Sequence, residues 1–374
     1  MGWLSHLRLR RFRNYAELAL DLDPGVSVLV GDNGQGKSNL LEAIFYLALL
    51  RSFRTRPLQP LRQWNADDFF VGGTLTDSDS GANITELSVG SGERRELRVD
   101  GQAVARGSEF INRFLCVALA PEDIDLVKGT AAVRRRFLDI AISQLEQSYL
   151  VDLQRYKTAL KSRNCVLRDW ARYSRTALAG YDALVVRHGT RVWQRRQLFL
   201  STLNTRLQED MGALGLEPTP QLTLNWQWNL RGQAEADNEA DVTAAFAQLL
   251  DRGLERDRAE GCTRCGPHRD EIRICQDGRP LGVYGSEGQC RLACLLLRLA
   301  TFSVLQSESR KNRPVVLLVD DVFGELDGKR RAAFFAGLAN ADQVVIAGTE
   351  MPGELRGGSA RVYRVAAGTI RGGD

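Results

Sequence analysis

Apolar and polar residues alternate at the start of the chain, through Leu7, Leu9 and Phe12 and again through Leu18, Leu20 and Leu22. A period of two turns one face of a strand inward, so two short strands are expected. Val26 to Val30 reads as a compact apolar strand, a glycine-rich loop follows at 31–37, and a helix runs from about Ser38 to Leu50. Residues 69–75, 84–89 and 94–99 read as further strands, with Asp100-Gly101 as a hairpin turn.

From about Ala132 the period lengthens. Leu145, Tyr149, Leu153, Tyr156, Leu160, Leu167 and Trp170 recur at helical steps, and a similar stretch covers about 181–210, with Gly180 between the two. About 30 residues at a 1.5 Å rise make a rod of roughly 45 Å. Two such rods predict a short antiparallel helical hairpin. Gly212 to Pro220 has the composition of a linker, Leu222 to Trp228 alternates as a strand, and 234–241 is an acidic loop. The segment CTRCGPHRDEIRI reads as a strand with a turn, and a helix is expected from about Glu287 to Leu305. Val315 to Val319 and Val344 to Ala347 are bare apolar runs, as parallel strands covered on both faces require.

Composition changes this picture little. Hydrophobic residues make up 44% and charged residues 26%, the proportions of an ordinary globular chain. A net charge of +4 does not by itself call for nucleic acid. Of the 50 basic residues, however, only six are Lys, and Arg is the base that grips phosphate with a fork. No apolar run reaches the roughly 18 to 20 residues of a membrane span, and the N-terminus lacks the apolar core of a secretory signal. No membrane partner and a cytoplasmic location are therefore expected. Seven cysteines, an odd number, do not suggest a disulfide framework. Cys262-Thr-Arg-Cys265 with His268 and Cys275 allows a zinc site to be drawn, but no second CxxC exists and reduced thiols are the expectation.

The chemistry is concentrated in three places. Gly31-Asp32-Asn33-Gly34-Gln35-Gly36-Lys37-Ser38 fits GxxxxGK[ST] between an apolar strand and a helix. Such a loop cradles the phosphates of ATP with backbone N–H groups. Lys37 is then placed to reach the β- and γ-phosphates and Ser38 to ligate Mg²⁺. Asp320 and Asp321 end the Val315 strand, where ligands of parallel sheets bind. Asp320 is the candidate Mg²⁺ partner, and Asp321 the group that orients or deprotonates water. Ser286-Glu287-Gly288-Gln289 opens a helix ahead of these carboxylates and resembles the signature loop of ABC-type ATPases. In that likeness the serine and glycine meet the γ-phosphate held by a second subunit, which implies a homodimer formed on ATP. Leu326-Asp327, after Gly324-Glu325, stands in the place of the D-loop.

Ser38 and Ser286 lie roughly 250 residues apart, far more than in transport ATPase subunits of similar motif set. The expected fold class is an α/β P-loop NTPase. It is an ABC/SMC-like split ATPase head formed by 1–130 and 221–374, with an inserted helical subdomain at 131–220.

The whole motif set resembles the RecF family of bacterial recombination mediators. The likeness runs through Phe12-Arg13-Asn14-Tyr15, the loop followed by NLLEAI, and Arg51-Ser52-Phe53-Arg54-Thr55. It continues through Pro121 to Gly129, Arg134-Arg135-Arg136-Phe137-Leu138-Asp139, Gly266-Pro-His-Arg-Asp270, the signature loop and LVDD with GELD. The resemblance implies an ATPase of DNA repair that dimerises on ATP, binds DNA at gaps without reading sequence, hydrolyses slowly, and works with RecO and RecR to load recombinase. It also suggests Arg13 as a group packing on adenine, and Arg51, Arg54, Arg56 and Arg134 to Arg136 as phosphate contacts. His268 is read as a structural histidine rather than a switch. Where the family has Gly-Ser-Pro, this chain has Gly129-Thr130-Ala131. ABC proteins commonly place glutamate where Asp321 stands and a switch histidine in the region of Thr349, so weak hydrolysis and a long-lived ATP state are expected. Two rival readings are a non-catalytic nucleotide-switched adaptor and a transport ATPase subunit.

Overall fold

The structure is a computed structural model. It describes residues 2–55, 57–77, 82–92, 94–172, 175–213, 221–227, 239–309, 313–322, 328–338, 341–356 and 358–372. The chain opens with β1 (Gly2–Phe12), β2 (Tyr15–Asp21), β3 (Gly25–Val30) and α1 (Lys37–Leu49). Next come β4 (Phe69–Asp77), β5 (Asn83–Ser91), β6 (Arg95–Val99), β7 (Gln102–Ala103), α2 (Gly107–Phe110), β8 (Leu115–Leu119) and α3 (Asp125–Lys128). The long helices are α4 (Ala131–Leu145), α5 (Gln147–Arg168) and α6 (Arg175–Ala213), followed by β9 (Leu222–Gln227), α7 (Glu239–Arg252) and α8 (Leu254–Glu260). The rest is β10 (Glu271–Gln276), β11 (Arg279–Pro280), α9 (Leu281–Tyr284), α10 (Glu287–Glu308), β12 (Val315–Asp320), α11 (Gly328–Gly337), β13 (Gln343–Gly348), β14 (Arg361–Ala366) and β15 (Thr369–Gly372).

Contacts divide the chain into two units. The first takes 1–124, 209–219 and 291–374, and the second 125–208 and 220–290. In the first, one antiparallel sheet has the order β2-β1-β4-β5-β6-β7. The other has the order β15-β14-β3-β13-β12-β8, with β14, β3, β13, β12 and β8 parallel. Helix α1 touches strands of both sheets, which is why it is apolar all round and almost wholly buried. β12 and β13 are buried at every position, as strands covered on both faces must be. The apolar run of β8, which carries no alternation, lies at the edge beside β12.

The second unit is built on α5 and α6. Arg163 bonds Asp182, His188 bonds Asp152 and Arg195 pairs with Glu146, so rising numbers on one helix meet falling numbers on the other. The hairpin is antiparallel, as the two periodic stretches predict. Helix α5 ends at Arg168 and α6 begins at Arg175, so Gly180, which the sequence pattern sets between the two rods, lies inside α6, where open space surrounds the position of its missing Cβ. A core of Tyr156, Ala159, Val185, Val186, Trp193 and Phe246 joins α5, α6 and α7. The second unit also takes in 220–290, which the sequence pattern assigns to the head. β9 and β10 pair there, and Asn204 of α6 holds both the N–H and the C=O of Leu224.

Helix α10 is the one described helix long and apolar enough to cross a membrane. Arg291 and Arg298 interrupt its apolar run, which is why no continuous span is legible in sequence. Arg298 is paired with Asp123 at 2.5 Å, and 61% of the apolar window is buried, as in a core helix.

Candidate functional site

The glycine-rich loop joins β3 to α1 and is tied down by its carbonyls. Asn14 Nδ2 and the Gly368 N–H donate to Gln35 O at 2.9 and 3.1 Å, and Tyr15 Oη donates to Gly36 O at 3.0 Å. The Ala367 N–H donates to Gln35 Oε1 at 2.6 Å. Two hairpin turns, β1–β2 and β14–β15, therefore hold one loop. Turning carbonyls toward the protein leaves a loop's N–H groups to form an anion-binding concavity. Glycine is required at two of its corners. A Cβ at Gly31 would lie 2.2 Å from the carbonyl oxygen of Val365, and Gly36 sits at φ 118° against the Asn14 side chain.

Lys37 opens α1 and is buried. Its Nζ donates to the carbonyls of Gly31 and Asp32 at 2.6 and 2.8 Å, which curls the ammonium over the loop. Next to it, Ser38 Oγ donates to Asp320 Oδ1 at 2.7 Å. The loop and the end of β12 thus meet at one point. Burial raises the pKa of Asp320, Ser38 and Arg54 act to lower it, and Glu122 and Asp321 add to the rise. Asp321 is exposed, adopts φ 46°, and donates its N–H to Ala347 O at 3.1 Å, so β12 ends in a left-handed turn.

A polar network surrounds the start of α1. Arg13 forks onto fully buried Glu42 with two bonds of 2.8 Å. Ser52 Oγ also donates to Glu42 and accepts the N–H groups of Arg54 and Thr55 at 2.9 Å. Arg54 donates to Asn39 Oδ1 at 3.0 Å, and Asn39 to Asn14 Oδ1 at 2.8 Å. Arg13 is thus committed to a carboxylate that would otherwise be buried alone, a costly state. Glu42, Asn14 and Asn39 lie in stretches that carry the family likeness, but the sequence assigns them no role. The available signal was Glu42 itself, a lone carboxylate in the apolar run LLEAIF.

The signature residues belong to the second unit. The Ser286 N–H donates to Gln289 Oε1 at 2.8 Å and the Gln289 N–H to Ser286 Oγ at 3.3 Å. This is a reciprocal capping box on α10. Gly288 is exposed, with open space where a Cβ would stand. Asp327 and the rest of the expected D-loop lie outside the described residues, as does Arg56.

Other charged motifs turn inward. Arg134 caps α3 through Leu126 O and Gly129 O at 3.2 and 2.8 Å and pairs with Glu271 at 3.0 Å. Arg135 donates to Asp270 O. Arg134 thus closes the end of α3 and Arg135 ties down the carbonyl ahead of β10, structural roles that the sequence alone does not predict. In the Gly266–Asp270 loop, Asp270 accepts the Trp193 indole N–H, and Pro267 O accepts Arg196 at 2.7 Å. His268 bonds Tyr156 Oη at 2.6 Å and Thr263 O at 3.1 Å. Burial pushes its pKa down to about 4, so it is a neutral structural histidine at neutral pH. Burial likewise pushes the Cys265 thiol up to about 12.

With this geometry in hand, relatives are informative. The RecF/RecN/SMC N terminal domain family matches residues 3–352. A protein of Streptococcus pneumoniae (strain P1031) described as DNA replication and repair protein RecF is 32% identical over 349 residues, 93% of each chain. The chain belongs to the RecF family. A solved structure of the recombination mediator protein RecF with ATP, described as part of the RecFOR pathway, superposes with a TM-score of 0.89. It is 27% identical and covers 100% of this chain and 98% of its own. An Smc head domain from Pyrococcus furiosus, 13% identical with a TM-score of 0.54, covers 100% of this chain and 96% of its own and shares the fold alone. The RecF-type fold is thus an α/β ABC ATPase head with a helical insert, as the motif spacing predicts.

Proposed function

We propose that this RecF-family chain is an ATP-switched, DNA-binding dimer of recombinational repair. The observation that carries the reading is the 2.7 Å contact of Ser38 with Asp320, 282 positions apart in sequence, beside the curled Lys37. Lys37 would exchange the carbonyls of Gly31 and Asp32 for phosphate oxygens of ATP, while Asp32, Asn33, Gly34, Gln35 and Gly36 supply the N–H cradle. Ser38 and Asp320 offer hard oxygen donors, and a carboxylate strained by burial is suited to a cation, so the pair fits Mg²⁺. When bound, Mg²⁺ neutralises phosphate charge. Asp321 would accept the proton of the attacking water, giving ADP and phosphate.

Ser286, Gly288 and Gln289 sit on the unit that does not carry the loop. A second copy would bring them to the nucleotide, and ATP would thereby close the dimer on DNA. The relatives' description as replication and repair proteins supports DNA as a partner, and the RecFOR pathway of the solved structure supports RecO and RecR; gapped DNA rests on the family resemblance. Recombinase loading is the step so served.

The test is duplex binding by Asp321→Asn protein with ATP, with ADP and without nucleotide, at fixed salt because phosphate contacts are salt-sensitive. Tight binding with ATP alone is expected. Equal binding in all three states would remove the switch from the reading.

A further inference from the structure

Trp64 is 89% exposed, the most exposed large hydrophobic among the described residues. An exposed indole offers apolar surface to a partner, and aromatic burial is among the largest apolar gains a protein makes. We infer that Trp64 is a stacking platform for an unpaired base of single-stranded DNA; the inference rests on the DNA-binding reading above and names a contact for it.

The platform is built rather than incidental. Trp64 lies on a tight turn closed by the Ala66 N–H donating to Gln63 O at 3.0 Å. That turn is stapled along the end of β1. The Gln63 N–H donates to Arg11 O and the Arg13 N–H to Leu61 O, both at 2.8 Å, and Phe12 bridges Arg62. Side chains add to it, with Arg11 paired to Asp68 at 2.9 Å and Arg62 donating to Gly92 O at 3.1 Å. Three residues other than glycine take left-handed backbone here: Arg11 at φ 51°, Arg13 at φ 55° and Asn65 at φ 64°. Arg11 and Arg13 are unfavourable choices that persist where the surroundings enforce them, whereas asparagine takes this conformation readily in turns.

Charge selects the occupant. Arg10, Arg11, Arg13 and Arg62 stand on these segments against Asp67 and Asp68, with Arg10 and Arg11 both drawn to Asp68 and Arg13 to Glu42 of α1. An aromatic face among arginines is what single-stranded nucleic acid requires, because every base has a π-face and every nucleotide a phosphate. A protein partner would need a contiguous apolar core. The sequence neighbours of Trp64 are instead Arg62, Gln63, Asn65 and Asp67, and Asn65 and Asp67 are exposed.

The experiment compares full-length wild type, Trp64→Ala and Trp64→Phe with ATP and Mg²⁺, against labelled single strand, gapped duplex and blunt duplex of equal length. Losing one base stack predicts about 10- to 100-fold weaker binding of the single strand and the gap by Trp64→Ala, with Trp64→Phe close to wild type. Blunt duplex affinity should change by less than about twofold, because its interior bases are stacked on both faces and only the two end pairs show one. Equal loss on blunt duplex, or no change on any DNA, overturns the inference. So does a comparable loss of ATP affinity measured without DNA, which would make Trp64 an adenine contact. Intact DNA binding with lost binding to RecO or RecR would make it a protein contact and equally overturn it. If wild type binds none of the DNAs, the DNA-binding reading itself fails; if wild type binds and Trp64→Ala matches it, only the platform fails.

Discussion

The nucleotide loop of the first unit and the core of the second handle charge in opposite ways. In the first, Lys37, Ser38 and Asp320 are brought together with Lys37 held by loop carbonyls and Ser38 donating to Asp320. These are bonds a phosphate or a cation can replace. In the second, charges close on each other. Arg163, fully buried, bonds Asp182 at 2.6 Å, Asp257 at 2.7 Å and Thr263 Oγ1 at 2.8 Å. Arg196 bonds Asp139 and Pro267 O at 2.7 Å, and Tyr149 donates to the same Asp139. Burial alone would raise the pKa of Asp139, yet Arg196, Lys157 and Tyr149 bring it below its ordinary value. A charged motif is a ligand site where its groups await a partner, and architecture where they have found one another.

That contrast is broken most sharply by deleting one charge from each side. Arg163→Met leaves Asp257 buried and unpaired, so a loss of about 3–5 kcal/mol of folding stability is expected by denaturant unfolding. Lys37→Ala should do the reverse. Stability without nucleotide should hold to within about 1 kcal/mol, while ATP binding weakens by about 1.5–3 kcal/mol, the range of a hydrogen bond to a charged group. Similar stability losses in both variants would erase the distinction.

The second test uses pH. His268 is held at about 4 in the folded protein by burial, with Arg269, Arg135 and Arg196 acting the same way. The unfolded chain takes up a proton near 6.5, above the folded value, so neutral His268 stabilises fully above that pH. The contribution fades as pH falls from 6.5 toward 4, and reaches about 3 kcal/mol at most. His268→Gln should flatten the stability profile across that window. An unchanged slope would mean that other groups carry the response in that window; Asp139, held below its ordinary value, acts only at lower pH.

Much of this was legible in sequence where a local rule coincides with the tertiary role. The loop was read because strand, glycines and helix are adjacent, and β12 because a strand buried on both faces shows no alternation. β8 has the same bare apolar run, but no chemistry marks its end and the sequence does not single it out. The rods were legible by period, while their break was misplaced at Gly180 because glycine is tolerated on an exposed helical face. The fates of Arg13, Arg134 and Arg135 were not legible. Their partners are Glu42, Glu271 and the carbonyls of Leu126, Gly129 and Asp270, and only folding brings these near.

The smallest effect bears on the residue that belongs to both descriptions. Ser286 caps α10 within its own chain, and in the proposed dimer it also faces the nucleotide of a second copy. Ser286→Ala removes the cap and should cost about 1 kcal/mol of stability, which alone would leave the protein folded. Ser286→Asp keeps a capping oxygen and favours the helix N-terminus, so its stability should match wild type. The same carboxylate would repel a γ-phosphate. If both variants lose ATP-dependent dimerisation, measured by sedimentation, while only Ser286→Ala loses stability, then the hydroxyl acts on the nucleotide and not merely on the helix. If Ser286→Asp dimerises normally, the capping box is the whole role of Ser286, and the contact across the dimer must be sought in Gly288 and Gln289.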